Sequence, residues 1–254
     1  MNDAVALRNV APDGTPADDA ELRPERRSAI FYVVSGPGGT GKTTLVRRWL
    51  QDDPTLGYVR NYTTRAPRAV DEQSGVDDSD WFEFVSPAEF QRLVREDFFV
   101  QWANAAQGYA SGTPVGPLHE AAEEGRDLVF DYTPQLFVNL RRLFRRHTVG
   151  IFVVPPSFGE LERRLRARGA DDAQIELKRQ MGAQDLAFMD EHDYALVNDD
   201  ADDALAALKA IRRAEAARID RMDGLAERYR RLSPRAMLFY YDPWGRRIDQ
   251  IDPE

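Results

Sequence analysis

The chain has 254 residues, a formal net charge of −9 and no cysteine. That length accommodates one α/β domain with a sizeable core and an appendage. The acidic balance, with no basic stripe, argues against nucleic acid as a partner. The lack of thiols excludes disulfides and thiolate metal centres and suits a reducing cytoplasm, the expected location. No apolar run reaches the roughly 20 residues of a membrane-crossing helix, and no basic-then-apolar leader opens the chain. Three histidines, His119, His147 and His192, are too few for a multi-histidine metal site.

Residues 1–27 are rich in Ala, Asp, Pro and Arg without an apolar period, and read as a mobile arm. Ile30–Val34 is a short, β-rich apolar run, as a buried parallel strand would be. Directly after it, Gly36 to Thr43 reads Gly-Pro-Gly-Gly-Thr-Gly-Lys-Thr, a complete G-x-x-x-x-G-K-[ST] loop. Its mechanism is physical. Main-chain N–H groups freed by Gly36, Gly38, Gly39 and Gly41, with Thr40 and Thr44, wrap phosphate; Lys42 reaches the β- and γ-phosphates; the Thr43 hydroxyl is a Mg²⁺ ligand. The loop feeds a helix carrying Leu45, Val46, Trp49 and Leu50 at helical spacing, whose N-terminal end favours an anion. ATP with Mg²⁺ is the expected donor.

Further along, Asp127–Phe130 and Val149–Val154 are predicted strands, and residues 158–166, 172–189 and 202–217 are predicted helices. Strands alternating with helices predict a doubly wound parallel sheet. Asp131 closes an apolar strand, where an acid would hold Mg²⁺ or its water. Near the C-terminus, Ile219, Met222, Leu225, Tyr229 and Leu232 mark a helical face that ends at Ser233-Pro234. Asp242-Pro243-Trp244-Gly245 then suits a type I turn, giving a helix followed by a hairpin.

Several segments carry a family likeness. They are Thr63-Thr64-Arg65-Ala66-Pro67-Arg68, Phe98 to Ala103, Gly112-Thr113-Pro114, Ile151 to Pro156, Leu161 to Gly169, and Val197-Asn198-Asp199-Asp200. In this order, from about Ile30 to Ile211, the chain resembles the guanylate kinase family. The resemblance implies a P-loop kinase core over 28–213, with an acceptor-binding insert at about 60–115, a lid at about 157–185, and a C-terminal extension over 214–254. It implies that Arg65 and Arg68 grip the acceptor's phosphate, a task suited to planar, bidentate guanidinium groups. By the same likeness Arg164, Arg168 and Arg179 are lid arginines that close over the ATP phosphates, and Asn198 lies beside the adenine.

On the acceptor side the likeness weakens. The implied contacts fall on Asn61, Phe82, Gln101, Ser111, Thr113 and Thr133, and most of these differ in kind from the family's residues. Asn61 stands for a serine. Phe82 (or Asp78) stands for a tyrosine, Ser111 for a second tyrosine, and Thr133 for an acid. Gln101 replaces a glutamate that reads paired N–H donors on guanine; an amide offers one donor and one acceptor instead. Each mismatched buried group costs about 1–3 kcal/mol. The expected activity is therefore phosphoryl transfer from MgATP to a small anionic acceptor, a phosphate ester that need not be GMP. Guanylate kinase activity proper and a non-catalytic binding module are the alternatives. Trp81, Trp102 and the C-terminal hairpin are candidates for reshaping the acceptor pocket. For a hydroxyl acceptor, Asp131 or the Asp77-Asp78-Asp80 cluster would be the base. Oligomeric state is open.

Overall fold

The computed structural model describes residues 26–67, 78–104 and 108–225, and the backbone of 240–241 and 247–248. The chain divides into two compact units. One is Ser28–Arg221; the other joins the segments before and after it.

In chain order, β1 (Arg26–Arg27) precedes β2 (Phe31–Ser35), α1 (Lys42–Asp52), β3 (Gly57–Tyr58) and β4 (Asn61–Thr63). Next come β5 (Phe82–Phe84), α2 (Pro87–Arg95), β6 (Phe99–Asn104), β7 (Ala110–Pro114) and α3 (Gly116–Glu124). Then follow β8 (Leu128–Asp131), α4 (Pro134–Leu143), β9 (Thr148–Val154), α5 (Phe158–Ala167), α6 (Asp172–Leu186), β10 (Tyr194–Val197) and α7 (Ala201–Ala216). The main sheet is parallel throughout, in the order β10-β9-β2-β8-β3.

The alternation within β2 explains the two-sided packing. Ile30, Tyr32 and Val34 join Leu45, Val46 and Trp49 of α1 and Leu205 and Leu208 of α7 in one core. Ala29, Phe31 and Val33 join Leu118 of α3 and Phe137 and Leu140 of α4 in the other. Successive side chains of a strand point to opposite faces, so a central strand covered on both sides is apolar on both, here from Ala29 to Val34. A second sheet, β5-β4-β7-β6, is antiparallel except for β4–β5 and holds Asn61, Phe82, Gln101, Ser111 and Thr113, residues expected on the acceptor side.

Two predicted boundaries shift. The 172–189 helix stops at Leu186, and Met189–Glu191 is a single 3₁₀ turn. The carbonyl of Phe188 there meets His192 Nδ1 at 2.8 Å instead of continuing the helix. The predicted helical face through Ile219 and Met222 is also absent at its start. Ile219–Arg221 is a 3₁₀ turn and Met222–Asp223 is a strand, β11, paired antiparallel with β1. Arg221 is buried against Glu215 at 2.9 Å and the Arg146 carbonyl at 2.8 Å, which folds the chain back after α7. The main unit accordingly runs to Arg221, past the expected boundary at 213. Of the arm expected over 1–27, Arg26–Arg27 forms β1; residues 1–25, the rest of the C-terminal helix and the 242–245 turn lie outside the described residues. Of the hairpin, β12 (Tyr240–Tyr241) pairs antiparallel with β13 (Arg247–Ile248).

Candidate active site

The phosphate loop joins β2 to α1 at the C-terminal edge of the main sheet, where open α/β sheets place their ligands. Two of its glycines are there by necessity. Gly36 has φ 129°, and a Cβ on it would lie 2.3 Å from the Val153 carbonyl oxygen. Gly41 caps α1 with φ 92°, and a Cβ there would lie 2.4 Å from Asn198 Nδ2. Thr40 is buried and donates to the Pro37 carbonyl at 3.0 Å, closing the turn from inside.

Lys42 Nζ donates to the carbonyls of Gly36 at 2.7 Å and Pro37 at 2.8 Å. Burial pushes its ammonium below the usual lysine range, against the pull of Asp131 and Asp185. The Thr43 hydroxyl donates to Asp131, the last residue of β8. Thr44 faces a hollow beyond the loop.

A second lysine completes the cluster, and it was not among the sequence candidates. A Cβ on Gly38 would lie 3.3 Å from Lys178 Nζ, so this ammonium sits against the glycine turn. Lys178 and Asp185 both act electrostatically on Lys42. Burial raises the pKa of Asp185 while the two lysines oppose that rise. Lys178, Gly182 and Asp185 are spaced i, i+4, i+7 on α6, one helical face, with Gly182 packed on Pro37. That spacing was the available signal.

The three lid candidates separate. Arg164 is held by Glu160 at 2.7 Å and donates to the carbonyls of Asn198 at 2.9 Å and Asp199 at 3.2 Å. Together with Arg168 it lines a hollow of about 250 Å³ that also touches Gly39, Gly41 and Thr44. Arg179 does not reach the loop: it is 75% exposed, 3.8 Å from Glu176, and lines a groove between α5 and α6. The phase of α6 gives the loop Lys178 in its place. Asn198 is buried, and its Nδ2 donates to the Thr40 carbonyl at 2.7 Å. Its amide thus pins the loop as well as lining the hollow.

On the second sheet, the threonines of the Thr63-Thr64-Arg65 segment staple β4 to β7. Thr63 Oγ1 donates to the Ala110 carbonyl at 3.0 Å, and Thr64 Oγ1 accepts from Ala110 N at 2.8 Å. Arg65 N in turn donates to Thr63 Oγ1 at 3.2 Å. The Arg65 guanidinium lies over Phe82 at 5.0 Å and Phe84 at 5.7 Å, so Phe82 supports the arginine through its ring face. Arg68 and Asp77 lie outside the described residues.

Thr113 Oγ1 donates to Asn61 Oδ1 at 2.7 Å and lies 2.6 Å from the Tyr132 hydroxyl. Gln101 is opposite Thr113 in the β6–β7 register and is 8% exposed. Both of its amide atoms are buried without a hydrogen-bond partner. Ser111 is half-buried, two residues before Thr113 on β7; Thr133 is exposed at the cap of α4. Trp81 packs instead on Tyr58 at 4.5 Å and under Arg47 at 4.8 Å. Trp102 is 48% exposed, edge-on to Phe90.

A hollow beside the loop, a glycine turn with two lysines against it and a threonine meeting a strand-end acid are the parts of a phosphoryl-transfer site. A family model described as Guanylate kinase matches residues 28–215. The guanylate kinase of Paramagnetospirillum magneticum is 38% identical over 202 residues, 79% of this chain and 92% of that protein. That of Novosphingobium aromaticivorans is 36% identical over 220 residues, 84% and 96% of the two chains. The crystal structure of guanylate kinase from Anaplasma phagocytophilum matches with a TM-score of 0.66 and 25% identity, over 81% of this chain and 95% of that one. The chain belongs to the guanylate kinase family. It is an ATP-dependent phosphotransferase on an α/β phosphate-loop kinase fold, which removes the non-catalytic alternative. The expectation of an acceptor other than GMP finds no support among these relatives, whose common name favours the alternative. Among the described residues no helix is long and apolar enough to cross a membrane.

Proposed function

We propose that this chain transfers the terminal phosphoryl group of ATP to GMP, giving ADP and GDP. The observation that carries the reading is the cluster of Lys42 and Lys178 against a glycine turn whose Thr43 meets Asp131. Phosphoryl transfer asks a protein for positioning and positive charge rather than covalent chemistry. Main-chain N–H groups at residues 38–43 receive the β-phosphate at the start of α1. Lys42 exchanges two loop carbonyls for phosphate oxygens, and Lys178 adds a second positive charge from α6. Arg164 and Arg168 bound the hollow for the nucleoside of ATP. Arg65, braced on Phe82, docks the acceptor's phosphate, the role the resemblance also gives Arg68. That phosphate is already an anion, so no general base is needed.

The residues fit Mg²⁺. Thr43 and Asp131 are oxygen donors in contact beside Lys42, and Mg²⁺ takes one or two protein oxygens with phosphates and water. Bound there it would neutralise charge on the transferring group.

At position 101 an amide stands where a carboxylate would accept from two donors. The amide pairs instead one position along the base edge. Guanine offers N1–H beside C6=O, a donor next to an acceptor, and the amide complements that pair. The test is ADP formation dependent on GMP, with kcat about 10³-fold lower or worse in Lys42→Ala. Turnover of other phosphate esters, with none of GMP, would return the acceptor to a different compound.

A further inference from the structure

We propose that Gln101 reads the N1–H/C6=O edge of the acceptor's purine and leaves its 2-position unread, so that IMP is phosphorylated about as well as GMP. This rests on the reading above, that a purine nucleoside monophosphate is the acceptor.

Gln101 has its side chain nine-tenths buried and both amide atoms unpartnered. Buried polar atoms are normally satisfied, and one left open is costly unless a ligand closes it. Its place in the register, directly across from Thr113, puts both side chains on one face of the sheet.

The neighbouring hydroxyls fix which way the amide faces. Asn61 Oδ1 only accepts, so the Thr113 hydroxyl spends its one proton there. The Tyr132 hydroxyl, 2.6 Å from Thr113, must then donate to it. A lone pair of Tyr132 remains for Gln101, which stands across from the same Thr113. The lone pair draws the NH₂ end of the amide. An amide nitrogen carries two protons. With one directed at Tyr132, the other stands beside the carbonyl as a donor–acceptor pair. Its complement is a cis lactam, H–N–C=O, the edge that guanine and hypoxanthine share. Turning the amide over would set its carbonyl against the Tyr132 lone pair. In the same ring placement adenine presents an acceptor at N1 and a donor at N6, the reverse order, and is mismatched.

The 2-amino group is the only difference between the guanine and hypoxanthine bases. A carboxylate at 101 would accept from it; an amide engaged with N1–H and C6=O does not. Position 133 carries an uncharged threonine hydroxyl, exposed at the cap of α4.

Initial rates with GMP, IMP and AMP on the wild-type protein test this directly. The expected kcat/KM for IMP lies within about tenfold of GMP, and AMP falls at least about a hundredfold lower. IMP more than about tenfold below GMP would overturn the inference and leave the GMP reading standing. AMP turned over as well as IMP would overturn the assigned amide direction. No turnover of any of the three would sink the reading beneath it. In Gln101→Glu the GMP-to-IMP ratio is expected to rise about ten- to a hundredfold; an unchanged ratio in folded protein would count against Gln101. The wild-type ratio decides the matter even where that variant fails to fold.

Discussion

The sheet behind the phosphate loop and the sheet on the acceptor side hold their working groups by different means. Every residue of β2 is buried, and β9 is buried up to its last residue. The groups proposed to meet ATP there are mostly main-chain N–H, with two lysines, and the loop geometry is set by contacts to the core itself. On the acceptor side β5 is half-buried at all three positions, and β6 has a single buried residue, Gln101. The groups proposed to meet the acceptor there are side-chain atoms, some buried, as in Gln101 and Thr113, and some half-buried, as in Ser111. A change in the first region is therefore a change in folding. A change in the second alters what is recognised and leaves the fold standing.

Paired substitutions test that difference. Gly36→Ala forces a Cβ to within 2.3 Å of the Val153 carbonyl at φ 129°, and is expected to cost about 3 kcal/mol or more. Ser111→Ala, at a half-buried position of β7, is expected to stay within about 0.5 kcal/mol. Urea midpoints of the two variants against wild type measure both. Comparable losses would erase the distinction.

The next contrast lies within α6. Lys178→Ala is expected to lower kcat about 10- to 100-fold, since it removes a positive charge beside the glycine turn. Arg179→Ala, one residue on and three-quarters exposed, is expected to stay within about twofold. A larger effect at Arg179 than at Lys178 would mean that the helix rotates or closes before transfer.

That contrast marks how far the sequence can be read. The loop, its flanking strand and helix, and Asp131 were legible because each depends on residues adjacent in the chain. The Gly-rich run fixes the turn, and apolar periodicity fixes its neighbours. The choice of Lys178 over Arg179 depends on the phase of one helix against Pro37, a packing outcome that differs by a single residue. Asn198 pinning Thr40, across 158 positions, left no local trace. Tyr132 carries no signal in the sequence, and its hydroxyl acquires meaning only where the residue after β8 meets Thr113 of β7. The list of acceptor-side differences was readable, but their consequence was not. Whether glutamine can serve guanine depends on which way its amide is held.

The smallest expected effect concerns the joint between the loop and the core. Ser35, the residue before Gly36, meets His192 Nε2 at 2.5 Å, while Nδ1 faces the Phe188 carbonyl at 2.8 Å. The Nδ1–H therefore donates to Phe188, and the bare Nε2 accepts from Ser35. The ring is stacked on Phe137 at 4.0 Å and edge-on to Phe152 at 5.0 Å. Burial, helped by Arg141, lowers the His192 pKa below 6.5, against the opposing influence of the Phe188 carbonyl, Asp193 and Glu191. As pH falls through that ordinary value the unfolded chain takes up a proton that the folded ring resists. The stability is thus whole above about pH 6.5 and declines toward the lower folded pKa. His192→Gln removes the titration. Urea midpoints at about pH 7.5 and about pH 5.5 should fall further for wild type than for the variant. Equal falls would mean that protonation of this ring does not strain the link between Ser35 and the start of the phosphate loop.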